Sequence, residues 1–396
     1  MIRRQSGKIY LWMSLVTMLL AFSVSAETFV VSPIYLDSYS VQDVINKAQD
    51  GDRIIVKSGT YLENINVTKR LVLVGVDSGN GRPLVDGGSK GSAITLIADG
   101  IRLECFDVEN SGAGSDDAAI KVLSNDNLLR DNTASNSSYG IYLHCCRNNT
   151  LVNNLVRRND VGVAIYNSEN NTLRGNTARN NSFAGFVLGL SRGNVLMENE
   201  AIRNAWVGIF LSDSDGNILK DDVLQLNDNE GIWLLNSSGN LLTGNDVSDS
   251  SISGIRLVAS HNNTINDTRS TDNLDGINLE ASHSNIITGN NLSNNNYGIY
   301  VDASSANSVY LNDFRDNVDN IYSWKSFNSW NSTGPLTYQY EGLILYSRLG
   351  NFWSDYQGRS SLGDGVGVNH YIRGQATDFW PLLSPVGSYI VRAWLG

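Results

Sequence analysis

Proline is almost absent from this chain of 396 residues, which has five; cysteine (three), histidine (four) and methionine (four) are as scarce. Charged side chains are few, at 17%. Beside so much Gly, Asn and Ser, that shortage would suit a disordered chain, but a hydrophobic content of 41% excludes it. Cys105, Cys145 and Cys146 are odd in number and include a vicinal pair, a poor basis for a disulfide framework. The fold must do without staples. Four His and four Met leave no metal-rich tract. After residue 26 no apolar run is long enough to span a bilayer. Positive charge is also in deficit, with a formal net charge of −11. Such a surface repels DNA, RNA and anionic lipid, and disfavours a polyanion such as pectate unless calcium bridges the two.

What is present begins with an export signal. Arg3, Arg4 and Lys8 form a basic start, Leu11 to Phe22 is apolar, and Val24-Ser25-Ala26 is a small-residue cleavage site. This predicts a secretory signal peptide over residues 1–26, with a retained membrane anchor as the alternative. Its removal takes away three positive charges and moves the net charge from −11 to −14. The mature protein is expected in the periplasm or at the cell surface, as a monomer without a transmembrane span.

A repeat then decides the fold. Tetrapeptides such as GIYL (Gly140), GIFL (Gly208), GIWL (Gly231) and GIRL (Gly254) recur every 22 or 23 residues from Gly140 to Gly298. One and three residues after each Gly the side chain is apolar in every copy, which is strand alternation with both residues inward. Eleven residues on lies a second apolar column: Leu151, Leu173, Leu196, Leu219, Leu242, Ile265, Ile287 and Val309. Nine residues on, the column is Asn149, Asn171, Asn194, Asn217, Asn240, Asn263, Asn285 and Asn307. Two more Asn-rich columns follow at fourteen and nineteen, broken by Asp222, Thr268 and Ser250. Rungs of about three short strands, stacked at roughly 4.8 Å, would turn these columns into amide ladders. The fold expected is all-β: a right-handed parallel β-helix solenoid of 22–23-residue coils over residues 27–335. Leucine-rich repeats share the period but need a helical half, and no apolar stripe here has helical spacing. A capping helix is expected at "SYSVQDVINKAQDGD", where Ser40 and Asp43 resemble a capping box. Residues 336–396, aromatic and without an Asn ladder, read as a C-terminal cap.

"SVQDVINKAQDGDRIIVKSGTYLENINV", the coils themselves, and "GNFWSDYQGRSSLGDGVGVNHYIRGQATDFWPLL" together resemble NosD-type periplasmic copper-binding β-helix proteins. The same pattern occurs in archaeal surface proteins of the pectin-lyase-like, carbohydrate-binding and sugar-hydrolase superfamily. That resemblance implies an accessory role in copper delivery to a periplasmic enzyme. The family's glycine-rich segment usually continues with an acid and Pro-Tyr, where this chain has Val368 and Asn369-His370-Tyr371.

Three kinds of site follow. Copper needs imidazole or thiolate. His261 and His283 lie seven residues after their glycines and should stack, either as a shared metal site or as two exposed turn histidines. Asp355, Asp364 and Asp378 are candidates for calcium in the cap. Second, Phe183, Trp206, Phe210 and Trp233 should point outward on neighbouring rungs, with Arg256 next along. Exposed aromatics stack on sugar faces, so this is a surface for polysaccharide or an envelope protein partner, unless a loop or the C-terminal segment covers it. Third, Asp116-Asp117, Asp213 with Asp215, and Asp221-Asp222 read as solvated turn carboxylates. A polysaccharide lyase or glycoside hydrolase would need such acids paired. The reading favoured is an exported binding or scaffolding protein, an accessory or surface protein recognising a glycan or a partner, and not an enzyme. A pectin-lyase-like lyase or hydrolase, and a copper-handling factor, are the alternatives.

Overall fold

The structure, a computed structural model, describes residues 26–33 and 40–391; apart from Ala26, the expected signal peptide lies outside them. The chain winds as a parallel β-helix with three long sheets. Sheet A has thirteen strands, from Thr28–Val31 to Ser308–Tyr310. Sheet B has thirteen, from Gly59–Leu62 to Phe352–Trp353, and sheet C twelve, from Ile65–Val67 to Asp319–Trp324. Every strand pairs in parallel with its copy one rung away, as Ile209 does with Ile232 and Leu219 with Leu242.

One rung shows how the sequence makes a coil. Val207–Ser212 lies in sheet C, Ile218–Lys220 in sheet A and Val223–Gln225 in sheet B. Ile209, Leu211, Leu219 and Leu224 point inward and are fully buried. Each such side chain contributes about 1.5–3 kcal/mol by leaving water. Three corners separate the strands, and each places a left-handed residue just before an amide-bearing column: Gly216 (φ 64°), Asp221 (φ 54°) and Leu226 (φ 57°). Gly, Asn and Asp tolerate that conformation best, which explains their abundance. Gly208 is required for a different reason. A Cβ there would sit 2.6 Å from the carbonyl oxygen of Gly231, so only glycine lets the rungs close up.

The Asn columns are hydrogen-bonded ladders. The Asn217 backbone N–H donates to Asn240 Oδ1 (2.8 Å), and its Nδ2 donates to the same oxygen (3.2 Å) and to the Ser191 carbonyl (3.0 Å). Its own Oδ1 accepts from the N–H and Nδ2 of Asn194. This ladder runs unbroken from Asn127 through Asn149, Asn171, Asn194, Asn217, Asn240, Asn263, Asn285 and Asn307 to Asn328. A serine ladder, Ser168 to Ser326, runs beside it, and Cys146 begins it as a buried thiol. Each buried amide left alone would cost about 1–3 kcal/mol. The other two ladders fault where Asn is replaced. Asp222 keeps the acceptor but its Oδ2 has no donor, and the Ser250 hydroxyl is also unpartnered. Asp222 is therefore a fully buried rung of a ladder and not the solvated turn acid expected.

The ends close differently. Helix α1 (Val41–Lys47) starts with a capping box between Ser40 and Asp43, and buries Val41, Val44 and Ile45 against the first rung. At the other end the chain leaves the coil and comes back. Leu336–Tyr340 forms an antiparallel sheet with Leu343–Ser347 and Ile390–Val391. Between those strands, Phe352–Trp353 pairs with Asp313–Phe314 in sheet B, and Asn351 accepts from Asn312 as a last ladder member. The segment expected to lack the ladder thus contributes its final rung. Trp353 stacks on Phe314 and on Tyr371, each at 4.3 Å between ring centroids, so aromatic rings take over the core where the leucines stop.

Candidate functional site

The outward face of sheet C carries a second apolar cluster outside the coil. Tyr142, Val161, Ala164, Ala184, Val187 and Val207 are all buried there, beneath larger rings. Phe183 and Trp206 lie 4.3 Å apart, and Trp206 meets Phe210 at 5.3 Å and Trp233 at 5.1 Å, both edge-on. Phe210 and Trp233 are 5.0 Å apart. These four residues therefore form one continuous shelf. The C-terminal segment packs into a separate cluster around Tyr338 and Tyr389 and is not part of it. Phe183 remains 42% exposed. A groove of about 570 Å³ opens beside the shelf, between Tyr139, Tyr166, Asp160 and Phe183.

Arg256 is the next residue along the same row, in register with Trp233 on one side and Asn278 on the other. Its guanidinium lies 5.3 Å from the Trp233 ring centroid, a cation–π approach. One arm donates to Glu230 Oε1 (3.0 Å), the other to Glu280 (3.0 and 3.2 Å). Asp275 accepts from Asn278 Nδ2 (2.7 Å) and Ser253 Oγ (3.4 Å). Burial pushes the carboxyl groups of Glu230 and Asp275 up, while the hydrogen bonds from Arg256 and Asn278 pull them back. Four buried polar atoms in this small area have no partner: Glu230 Oε2, Trp233 Nε1, Arg256 Nε and Asn278 Oδ1. The sequence reading found the shelf and Arg256, with Asn278 outward in the same column, but missed Glu230, Asp275 and Glu280. They stand one residue before, or four after, their glycines, and those columns also face outward.

Among the described residues the candidate metal residues form no cluster of three donors. His261 and His283 stack, with centroids 5.2 Å apart and planes at 14°. His261 Nδ1 accepts from the His283 backbone N–H and His283 Nδ1 from that of Ser305, both at 3.0 Å. Each Nδ1 lone pair is thus used, the proton sits on Nε2, and neither ring offers a metal a lone pair. Asp355 accepts from Asn320, Tyr371 and Arg373. Asp364 accepts from Ser360, and Asp378 from Asn351, Trp353 and Trp380. Each carboxylate is satisfied separately, so no calcium cage forms. Gly350 makes room for Asp378, whose oxygens lie within 2.3 Å of where a Cβ would be. The acidic turns are likewise engaged: Asp117 accepts from Gly114 N–H within its own turn, while Asp215 accepts from Ser238 N–H and Asp213 from Asn236 on the neighbouring rung.

A family model described as periplasmic copper-binding protein (NosD) matches residues 45–225 and again residues 197–358. The chain belongs to the NosD family. No curated protein matches it. Among solved structures it is similar to the Dettilon tailspike protein gp208 (15% identity, TM-score 0.61, 74% of this chain and 66% of that one). It is also similar to the A-module of the Azotobacter vinelandii mannuronan C-5 epimerase AlgE4 (17%, TM-score 0.51, 73% and 93%). A third is the DFA-IIIase of Arthrobacter chlorophenolicus A6 without its lid (13%, TM-score 0.53, 72% and 94%). At these identities the likeness is one of fold. No helix among the described residues is long and apolar enough to cross a membrane.

The family name implies copper, and the donors of this NosD-family chain do not fit it. Among the described residues no three His, Cys, Asp or Glu side chains surround one point. A soft pair, Cys145 Sγ and His144 Nε2 at 3.3 Å, has no third donor among the described residues, and His144 Nδ1 is engaged by the Tyr142 hydroxyl (3.1 Å).

Proposed function

We propose that this NosD-family protein is an exported glycan-binding protein that lays a sugar chain along the outer face of sheet C. The observation that carries this is the junction of the aromatic shelf with the partly exposed Arg256–Glu280 pair. Sugars present apolar C–H faces and a rim of hydroxyls. Phe183, Trp206, Phe210 and Trp233 offer rings for the first, while Arg256 and Glu280, whose side chains are 25% and 35% exposed, offer hydrogen-bonding groups for the second. Repetition supports a chain ligand, because the row Val187, Phe210, Trp233, Arg256, Asn278 advances one strand per residue.

Binding is favoured over turnover. Glu230 is buried and tied to Arg256, and the partly exposed Glu280 is tied to it too, so these carboxyl groups hold the arginine instead of standing free to move protons. A glycan array probed with the mature protein tests the reading. Retention of at least one polysaccharide, weakened by about tenfold in Trp233→Ala, is expected. Capture of an envelope protein through the same face, with no glycan retained, would replace it.

A further inference from the structure

We infer that the glycan taken by this surface is anionic, its carboxylate or sulfate groups meeting Arg157, Arg158, Arg179 and Arg203 at the corner beside the aromatic shelf. This rests on the glycan reading above and names the class of sugar. The overall charge of −11 argues the other way, so the local arrangement has to decide.

Four observations place the arginines. First, they fall on three consecutive rungs: Arg157 is in register with Arg179, and Arg179 with Ile202, the residue before Arg203. Second, none of the four forms an ion pair among the described residues, although twelve other pairs exist. The Nε of Arg157 is moreover buried without a partner. Like charges directly opposite on adjacent strands are destabilising, so the Arg157–Arg179 pair is held at a cost the fold does not offset. Third, Arg158 (φ 56°) and Arg203 (φ 54°) sit in the left-handed corner position that elsewhere in the column holds Asn136, Asn180, Leu226, Asp249, Asp272, Asn294 and Asp316. A long side chain there costs about 1–2 kcal/mol more than Gly, a cost shared in this column by Leu226 alone.

Fourth, the corner adjoins the shelf. Arg158, Asn180, Asp160, Ser182 and Arg203 line a hollow of about 310 Å³. Asp160 and Ser182 also line the groove beside Phe183. Arg203 is three residues before Trp206, so their Cα atoms are at most roughly 10 Å apart. The nearby acids turn to hydroxyls and not to these arginines: Asp160 accepts from Ser182 Oγ (2.7 Å) and Glu200 from Thr177 Oγ1 (3.4 Å). A sugar chain stacked on Phe183 and Trp206 and crossing this corner would bring its acid groups to guanidinium forks that have nothing else to bind.

The test is titration of the full mature chain with an oligogalacturonate and with a neutral oligogalactan of equal length, at rising NaCl. The oligogalacturonate should bind more tightly, and the advantage should fade between about 0.05 and about 0.5 M salt. Arg158→Gln/Arg203→Gln, both exposed positions, should lose about tenfold for the oligogalacturonate and nothing for the neutral chain. Trp233→Ala should weaken both. An unchanged oligogalacturonate affinity in the double variant, with Trp233→Ala still weakening both ligands, overturns the anionic class and leaves the glycan reading standing. No binding of either oligosaccharide overturns both. Equal affinity for a single-stranded oligonucleotide or for phosphatidylglycerol vesicles overturns the inference too, because charge alone would then explain the result.

Discussion

The corners of the coil and the outer face of sheet C use the same polar chemistry to opposite ends. At the corners Asn149, Asn171, Asn194 and their copies are buried, and nearly every amide is answered by the rung on either side. On the outer face, Glu230, Trp233, Arg256 and Asn278 each keep one buried polar atom unanswered within three rungs. A repeat protein can satisfy a buried group simply by repeating it. Where the repeat is abandoned and the groups are left open, stability is given up for an arrangement that the coil itself does not need.

The comparison can be broken first at the corner. Asn217→Leu should destabilise by about 3 kcal/mol or more, since it strips partners from Asn194, Asn240 and the Ser191 carbonyl together. Urea unfolding measures this, and a loss below about 1 kcal/mol would mean the ladder is ornament. Next in size is Arg256→Met, which leaves Glu230 buried without its cation and should cost about 2–4 kcal/mol. Adding Glu230→Gln should recover much of that, and failure to recover would show that the arginine matters for packing alone.

The ladder fault at Asp222 gives a pH-dependent effect. Burial pushes its carboxyl up to about 7 from the ordinary 3.8. The folded state therefore holds the proton more tightly than the unfolded chain does. Stability from this group is full below pH 3.8 and falls as pH rises towards about 7. Asp222→Asn restores the missing Nδ2 donor and should stabilise by about 2–3 kcal/mol at pH 8, with little change at pH 4. Asp378, also raised to about 7 by burial against the pull of its N–H donors, contributes a slope of the same sign that survives in the variant. Equal gains at both pH values would show that Asp222 does not titrate with folding. The smallest effect is on metal. Copper at about tenfold excess should leave the melting temperature unmoved, in the wild type and in His261→Gln alike. A rise that disappears in that variant would restore the histidine pair as a site.

The coil was legible because one spacing fixes many residues at once. An error in reading any single rung is corrected by the next, so Asn217 and Leu219 could be placed from their columns. The shelf of Phe183, Trp206, Phe210 and Trp233 was legible for the same reason. Arg256 was seen, but its partners were not. Glu230 and Glu280 reach it from the neighbouring rungs, along columns where other copies carry Val, Ser or Tyr. Nothing in a column average marks them. Asn351 was missed because thirty-nine residues separate it from Asn312, and the 22–23-residue period cannot reach across the excursion. The two readings of the histidine pair differ at the level of lone pairs, which spacing does not show: it stacks His261 on His283, and backbone N–H groups then occupy Nδ1 of each ring.

Hydrogen–deuterium exchange of the whole chain, with and without a bound oligosaccharide, tests the central claim most directly. Protection should appear as a periodic footprint on the sheet C strands and the turns leading into them: 183–189, 206–212, 229–235, 253–258 and 275–280. The intervening strands of sheet A should be unchanged. Protection confined to sheet A or to the terminal antiparallel strands, or none at all under saturating ligand, would contradict the account.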